Sequence, residues 1–351
     1  MVDTIGNVYV TGRENRDDLG EVTNIWLGKY DTNGNLLWTE TYNSPANNQD
    51  TGKGIAVDSE SNVYVIGYED RISPSEIGNI WLRKYNADGN TLWTRTCDNG
   101  EGKDIFVDAM DNVYVTGYVS RSDLPIFNEM WLRKYDNNGN TLWTERYIPE
   151  GTSEGYGVAV NTTGDVFVTG FEHLFDTQQA EHWLKKYDAN GSVLWTEIYD
   201  TQETGFGVTV NTAGNIYVTG CSGGDIWLRK YNPSNGDTVW TDTYDSSAHG
   251  YDYGCRVAVD TAGNAYVTGC SDGDIWLRKY DTDGGVLWTQ TYSSGIGYAV
   301  DVDTAGNVYI AGFSDNDIIL LNYAQVPEPG TIALISAGLL GFAGVLRRKL
   351  R

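Results

Sequence analysis

Proline is scarce in this chain, at 7 of 351 residues, and so are histidine (3), methionine (3) and cysteine (4). The three histidines are His173, His182 and His249. Only the first two share a segment, and the eight residues between them, with no cysteine nearby, argue against a metal site. Basic residues are few: 24 Lys and Arg stand against 48 Asp and Glu, a net charge of −24. A surface this acidic repels phosphate backbones and excludes nucleic acid as a partner. It favours solubility and self-repulsion, and leaves open a diffuse uptake of calcium by surface carboxylates. Helical periodicity is missing upstream of residue 331. No Ser/His/Asp, Cys/His or paired-carboxylate constellation stands out, so the sequence assigns no catalytic residue, metal or cofactor.

What is abundant is glycine (42), tyrosine (24) and tryptophan (12). The stretch GNVYVTG at 6–12 returns as SNVYVIG (61–67), DNVYVTG (111–117), GDVFVTG (164–170), GNIYVTG (214–220), GNAYVTG (263–269) and GNVYIAG (306–312). Seven copies 43 to 55 residues apart mark a repeat architecture. Each unit carries four runs with strand character. In the second unit they are GIAVD (54–58), NVYVIG (62–67), IWLRKY (80–85) and TLWTRT (91–96), separated by turns rich in Gly, Asn and Asp. All twelve tryptophans fall in two columns, one in the third run and one in the fourth. A buried aromatic removes about 150–250 Å² from water, worth roughly 4–6 kcal/mol. Residues placed alike in every repeat serve the repeat, so core is favoured over a ligand platform.

Four short antiparallel strands repeated seven times describe an all-β, seven-bladed β-propeller, because radial closure alone buries both faces of every blade. The units lie near 1–43, 54–97, 104–147, 157–199, 207–244, 256–292 and 299–323. Glycines entering the first strand (Gly52, Gly102, Gly155, Gly205, Gly254, Gly297) are expected to allow close approach along the central channel. First-to-second and third-to-fourth turns are uniformly tight and share one face. The second-to-third loops on the other face are long in units one to four and shrink to CSGGD (221–225), CSDGD (270–274) and FSDND (313–317). Binding is expected on that lopsided, loop-rich face. The D-x-N-G and D-x-D-G turns, such as Asp281–Gly284, mimic the start of a calcium loop but lack its downstream glutamate, and read as turns. The repeated pairs Arg83–Lys84, Arg133–Lys134, Arg229–Lys230 and Arg278–Lys279 are expected to meet neighbouring carboxylates.

Composition changes at Val326. VPEPG (326–330) precedes the uncharged, mostly apolar run 331–346, which is read as a C-terminal hydrophobic helix, with Arg347, Arg348, Lys349 and Arg351 flanking it. As a helix it would span roughly 24 Å, short of the ~30 Å hydrocarbon core, with snorkelling arginines extending its reach and its basic end facing the cytoplasm.

The units resemble the bacterial seven-bladed β-propeller repeat of the SBBP type, through GNVYVTG and its spacing over residues 2–323. The segment 324–351 resembles the PEP-CTERM sorting signal. That resemblance implies export in a Gram-negative bacterium that makes exopolysaccharide, and Pro327, Glu328, Pro329 and Gly330 as the motif an exosortase recognises and cuts. It implies a precursor tethered in the inner membrane by helix 331–346, then a cell-surface or extracellular protein. Such proteins begin with a signal peptide, whereas VDTIGN (2–7) aligns with VDTAGN (259–264) inside a first strand. A preceding signal peptide and a strand completing the last unit are therefore expected. A weaker resemblance is to the tryptophan docking motif of quinoprotein propellers, seen in Asp31…Gly34…Trp38 and Asn232…Gly236…Trp240.

Export supplies an oxidising compartment. Pairing Asp260 with Ala265 across the loop 261–264 sets a register that places Cys255 opposite Cys270, which predicts a disulfide between them. Cys221 then faces Phe206 and stays free, and Cys97 reads as a core thiol. The functional expectation is a non-enzymatic scaffold binding exopolysaccharide or surface proteins, with an exosortase as transient partner. The alternative is an envelope enzyme of lyase or quinoprotein type working at the central channel.

Overall fold

The computed structural model describes residues 1–16, 19–70, 78–121, 127–148, 151–174, 179–199, 202–292, 294–314, 317–323 and 344–349. They form a ring of antiparallel sheets, and no α-helix is found among them. Unit one has three strands, Val8–Asn15, Thr23–Tyr30 and Leu36–Tyr42. Units two and three are joined into one seven-stranded sheet because Thr91–Val107 runs on from the outer edge of one into the inner edge of the next. Units four to seven are separate four-stranded sheets starting at Gly151–Val160, Glu203–Val210, Tyr253–Val259 and Ile296–Val302. Seven apolar clusters each join one unit to the next, and the last closes the circle by packing Val8, Val10, Trp26 and Tyr30 against Tyr309 and Leu320. Val2 N also donates to Asp301 Oδ2 at 2.7 Å across that seam. The propeller architecture read from the repeat is thus the observed one.

The repeat motif is explained by its turn. Asp108 accepts the backbone N–H groups of Met110 and Asn112, the Asn112 side chain, and the Tyr114 hydroxyl. Asp3, Asp58, Asp260 and Asp303 are wrapped in the same way by the Asn and Tyr four and six residues on. One carboxylate therefore ties a turn to the strand that leaves it. Where unit four has Asn161 in place of the acid, it has Phe167 in place of the tyrosine, so no hydroxyl is stranded. Asp281 is likewise consumed by Asp283 N and Gly285 N, in agreement with the turn reading of the calcium-like segments.

The tryptophan columns divide in two. Trp26, Trp81, Trp131, Trp183, Trp227 and Trp276 of the third strands are fully buried between units. The fourth-strand tryptophans are half-buried, and Trp38, Trp93, Trp143 and Trp240 latch the next unit through Nε1. Trp38 Nε1 and Lys29 Nζ both donate to Ala87 O, at 3.1 and 3.0 Å. Trp93 with Lys84 does the same to Asn137 O, and Trp240 with Lys230 to Thr282 O. The turn glycine beside two of these carbonyls lies on the indole face, a Cβ on Gly89 or Gly284 coming within 3.2 or 2.9 Å of the ring, whereas Gly139 faces the Arg95 guanidinium. Gly89 and Gly284 both have positive φ, 88° and 90°, so glycine is required twice over. The docking-like spacing therefore does correspond to a contact between blades. The lysines of the Arg–Lys pairs thus serve turn carbonyls as much as carboxylates, whereas Arg229 pairs with Glu203 at 2.7 Å and Arg278 with Asp242 at 3.5 Å.

Two expectations need correction. The first-strand glycines do allow close approach, but what they approach is the neighbouring unit. A Cβ on Gly155, Gly205, Gly254 or Gly297 would strike Thr116, Thr169, Thr219 or Thr268, the threonine of the preceding VTG motif. Those hydroxyls donate to the carbonyls of Trp131, Trp183, Trp227 and Trp276, so the threonine is fixed and the glycine must yield. The second correction concerns the tail. Gly344–Lys349 is a strand, paired antiparallel with Asp317–Tyr323 through Asn322↔Gly344 to Asp317↔Lys349. It fills the fourth-strand place of unit seven, so the end of the expected helix 331–346 is not helical. Its other residues, 331–343, lie outside the described residues. No helix among the described residues is long and apolar enough to cross a membrane.

Candidate binding site at the channel mouth

Every complete first strand carries a one-residue irregularity at the same place. The register slips between Gly52 and Gly54, Gly102 and Asp104, Gly155 and Gly157, Gly205 and Gly207, Gly254 and Arg256, and Gly297 and Ala299. The slip is a β-bulge, which frees one residue from the ladder and re-aims its side chain. The freed residues are Lys53, Lys103, Tyr156, Phe206, Cys255 and Tyr298. They break the repeat completely, and neighbouring ones meet around the mouth of the central channel on the loop-rich face. Lys103 Nζ lies 4.5 Å from the centre of the Tyr156 ring, and Tyr156 lies 5.8 Å from Phe206. Tyr156 is also stacked on Phe171 at 5.5 Å, with His182 behind it.

Under the charged half of this mouth, across units one to three, is a cavity of about 440 Å³. Tyr68 and Tyr118 wall it, and Arg13, Lys53, Asp70 and Glu101 line it. Lys53 pairs with Glu101 at 3.0 Å, Tyr118 donates to Glu101 at 3.4 Å, and Lys103 pairs with Glu154. Burial pushes the Tyr68 phenol up to about 12 and raises Tyr118 and Tyr156 as well, so all three remain neutral hydroxyl donors.

The channel is bridged at the next position along the strand. Arg256 of unit six reaches Asp104 of unit three through a two-pronged pair, Nη1 to Oδ2 at 3.0 Å and Nη2 to Oδ1 at 2.5 Å. Val158 N adds a third bond to the same carboxylate. Burial raises the Asp104 carboxyl above its ordinary range, opposed by the Arg256 charge. The cations and acids here are paired or solvated, and the tyrosines are protonated. The arrangement is suited to stacking and hydrogen bonding with a polar ligand.

The sequence pointed to the loop-rich face but did not single out these residues. The signal was present: one variable residue follows the first-strand glycine in GKG, GKD, GYG, GFG, GCR and GYA. The bulge also corrects the cysteine register. Cys270 lies opposite Tyr253, Cys255 is the freed residue, and Cys221 faces Thr204 and not Phe206. All four cysteines are free thiols. His182 Nε2 lies 3.3 Å from Thr204 Oγ1, and burial lowers its pKa. Among the described residues no cluster of three or more His, Cys, Asp or Glu could hold a metal ion. Pro327, Glu328, Pro329, Gly330 and Arg351 lie outside the described residues, and Arg347, Arg348 and Lys349 pair through their backbones with Ile319, Ile318 and Asp317.

Comparison with known proteins agrees with this picture. Residues 46–68 match the β-propeller repeat of the SBBP type, residues 180–325 match a family described as outer membrane protein assembly factor BamB, and residues 325–349 match the PEP-CTERM protein-sorting motif. Among curated proteins nothing matches the chain. A protein from Lactobacillus plantarum superposes with a TM-score of 0.64 at 14% identity, over 94% of this chain and 95% of its own. The Dos1 propeller gives 0.54 at 11% identity, over 85% and 74%. A protein of unknown function from Bacteroides caccae gives 0.51 at 12% identity, over 81% and 93%. Identities this low establish the fold alone. The chain is thus a β-propeller repeat protein that ends in a PEP-CTERM sorting motif, which implies recognition by an exosortase and an exported, envelope-associated location.

Proposed function

We propose that this protein is a non-enzymatic binding scaffold of the cell envelope, cut by an exosortase at Pro327–Gly330 and displayed to bind glycan. The observation that carries the reading is the polar cavity at the channel mouth, walled by two half-buried, protonated tyrosines on a rigid ring. Sugars present apolar ring faces edged by hydroxyls, and tyrosine walls with carboxylate and amine partners answer both. A protein ligand is the second reading. It is favoured by the match of residues 180–325 to a family described as an assembly factor, and by the low rim that units five to seven present. Retention of purified exopolysaccharide on the immobilised propeller tests the first reading, with Tyr118→Ala expected to reduce it and unchanged retention counting against the cavity. In a host with an exosortase, the mature chain is expected to end near Pro329, and an intact Arg351 on surface material would exclude processing.

A further inference from the structure

The charges in the cavity are unequal in one respect. Of its two cations, Lys53 is held by Glu101. Arg13 makes no ion pair and no hydrogen bond among the described residues, and its side chain is exposed at the rim. It stands directly after the glycine of the first repeat motif. The residues at that place in the other units are Tyr68, Tyr118, Phe171, Cys221, Cys270 and Phe313, none of them charged. Nothing in the blade requires a cation there. The guanidinium is a planar fork matched to a carboxylate, and no carboxylate among the described residues fills it.

The tyrosines and the free guanidinium together define a ligand. Tyr68 and Tyr118 offer faces for a sugar ring and hydroxyl donors for its edge. The cavity, at about 440 Å³, falls within the range of about 300–1,000 Å³ typical of small-ligand sites. The rest of the molecule sets a limit: a net charge of −24 repels a densely charged chain before it arrives. We propose that the cavity recognises a sparsely acidic glycan, one uronic-acid residue set among neutral sugars, with Arg13 holding the carboxylate and Tyr68 and Tyr118 stacking on the rings. This rests on the glycan reading above and adds the class of glycan and the residue that selects it.

Calorimetric titration of the full chain tests it with four ligands: xylotriose carrying one glucuronic acid, xylotetraose, polygalacturonate and a glutamate-rich peptide. The acidic oligosaccharide is expected to bind about tenfold more tightly than the neutral one. Arg13→Gln is expected to erase that difference, Arg13→Lys to restore part of it, and polygalacturonate to bind worse at low salt than at high salt. Equal affinity for the acidic and neutral sugars, unaffected by Arg13→Gln, would overturn the assignment of Arg13 while leaving the glycan reading intact. Arg13-dependent binding of the peptide with neither oligosaccharide bound would overturn both. A melting profile of Arg13→Gln matching the parent confirms that loss of binding is not loss of fold.

Discussion

Replacing Arg256 by alanine should destabilise the ring far more than its position near a solvent channel suggests. Asp104 and Arg256 are 152 residues apart in sequence and come from units on opposite sides of the ring. The side chains are only 11% and 24% exposed. Removing the arginine leaves a mostly buried carboxylate with the Val158 amide as its remaining partner from another unit. Breaking a buried pair in this way costs about 3–5 kcal/mol, and partial hydration places this case near 3. Unfolding entropy of about 2 cal/mol/K per residue over the ring converts that to a fall of about 4 °C in Tm. The double variant Asp104→Ala with Arg256→Ala should recover much of the loss, because no charge is then stranded. The pH dependence has a definite sign. Burial raises the folded Asp104 pKa above its unfolded value, and Arg256 is what restrains that rise. The folded state therefore binds a proton more readily, and stability falls as pH rises through the folded pKa. Without Arg256 that pKa climbs further, so the deficit of the single variant should be larger at pH 8 than at pH 5. Scanning calorimetry at both pH values measures it. A single variant within about 0.5 kcal/mol of the parent, or a double variant no better than the single, would refute the cross-channel account.

Three further predictions concern the repeat. Asp108→Ala strands the Tyr114 hydroxyl, the Asn112 side chain and two backbone N–H groups, so urea unfolding should report a loss of about 1–3 kcal/mol; Asp108→Asn combined with Tyr114→Phe, the pairing unit four already has, should lose less than half of that. Gly205→Ala puts a methyl 2.6 Å from Thr169 Oγ1 and 2.8 Å from the Tyr199 ring and should cost about 1–3 kcal/mol, whereas Gly12→Ala, with open space around it, should lower Tm by no more than a degree or so. Thiol titration of unreduced, unfolded protein should find four free thiols, and in the folded protein Cys255 should react at pH 8 more slowly than a free cysteine, because desolvation pushes its pKa up to about 12; two thiols would restore the disulfide that the sequence suggested.

Much of the fold was legible because packing repeats. A tryptophan buried between blades must recur wherever a blade meets a blade, so Trp26 to Trp276 announced both the strand order and the ring. The turns were equally plain, but the wrapping of each turn aspartate by the Asn and Tyr four and six residues on was not read, although it lies within a single motif. Register was less legible. A single freed residue per first strand leaves no mark in an alternating pattern, and counting straight through it placed Cys255 opposite Cys270 when Tyr253 is the true neighbour. The contact of Gly205 with Thr169 was invisible for another reason: it joins separate blades. The cross-channel pair was hidden further still, because only closure of the ring brings residues 104 and 256 together.

The bulge also explains how one fold can carry an individual site without losing stability. At the neighbouring positions each residue has an assigned place: most of the glycines against the threonine of the preceding blade, the valines in the interface, the aspartate in its turn. A substitution at any of these is felt by the ring. The freed residue has left the ladder, so its side chain answers to its neighbours around the channel, as Lys53 does to Glu101 and Tyr156 to Phe206, and not to the strand pairing. Lysine, tyrosine, phenylalanine and cysteine all occur there in one chain, differing in volume, charge and polarity, while the strands on either side keep the same pairing. Closure then turns six independent choices into one surface, since each bulge opens on the same channel. The side chains around the mouth can accordingly differ residue by residue while the strand pairing on either side stays the same.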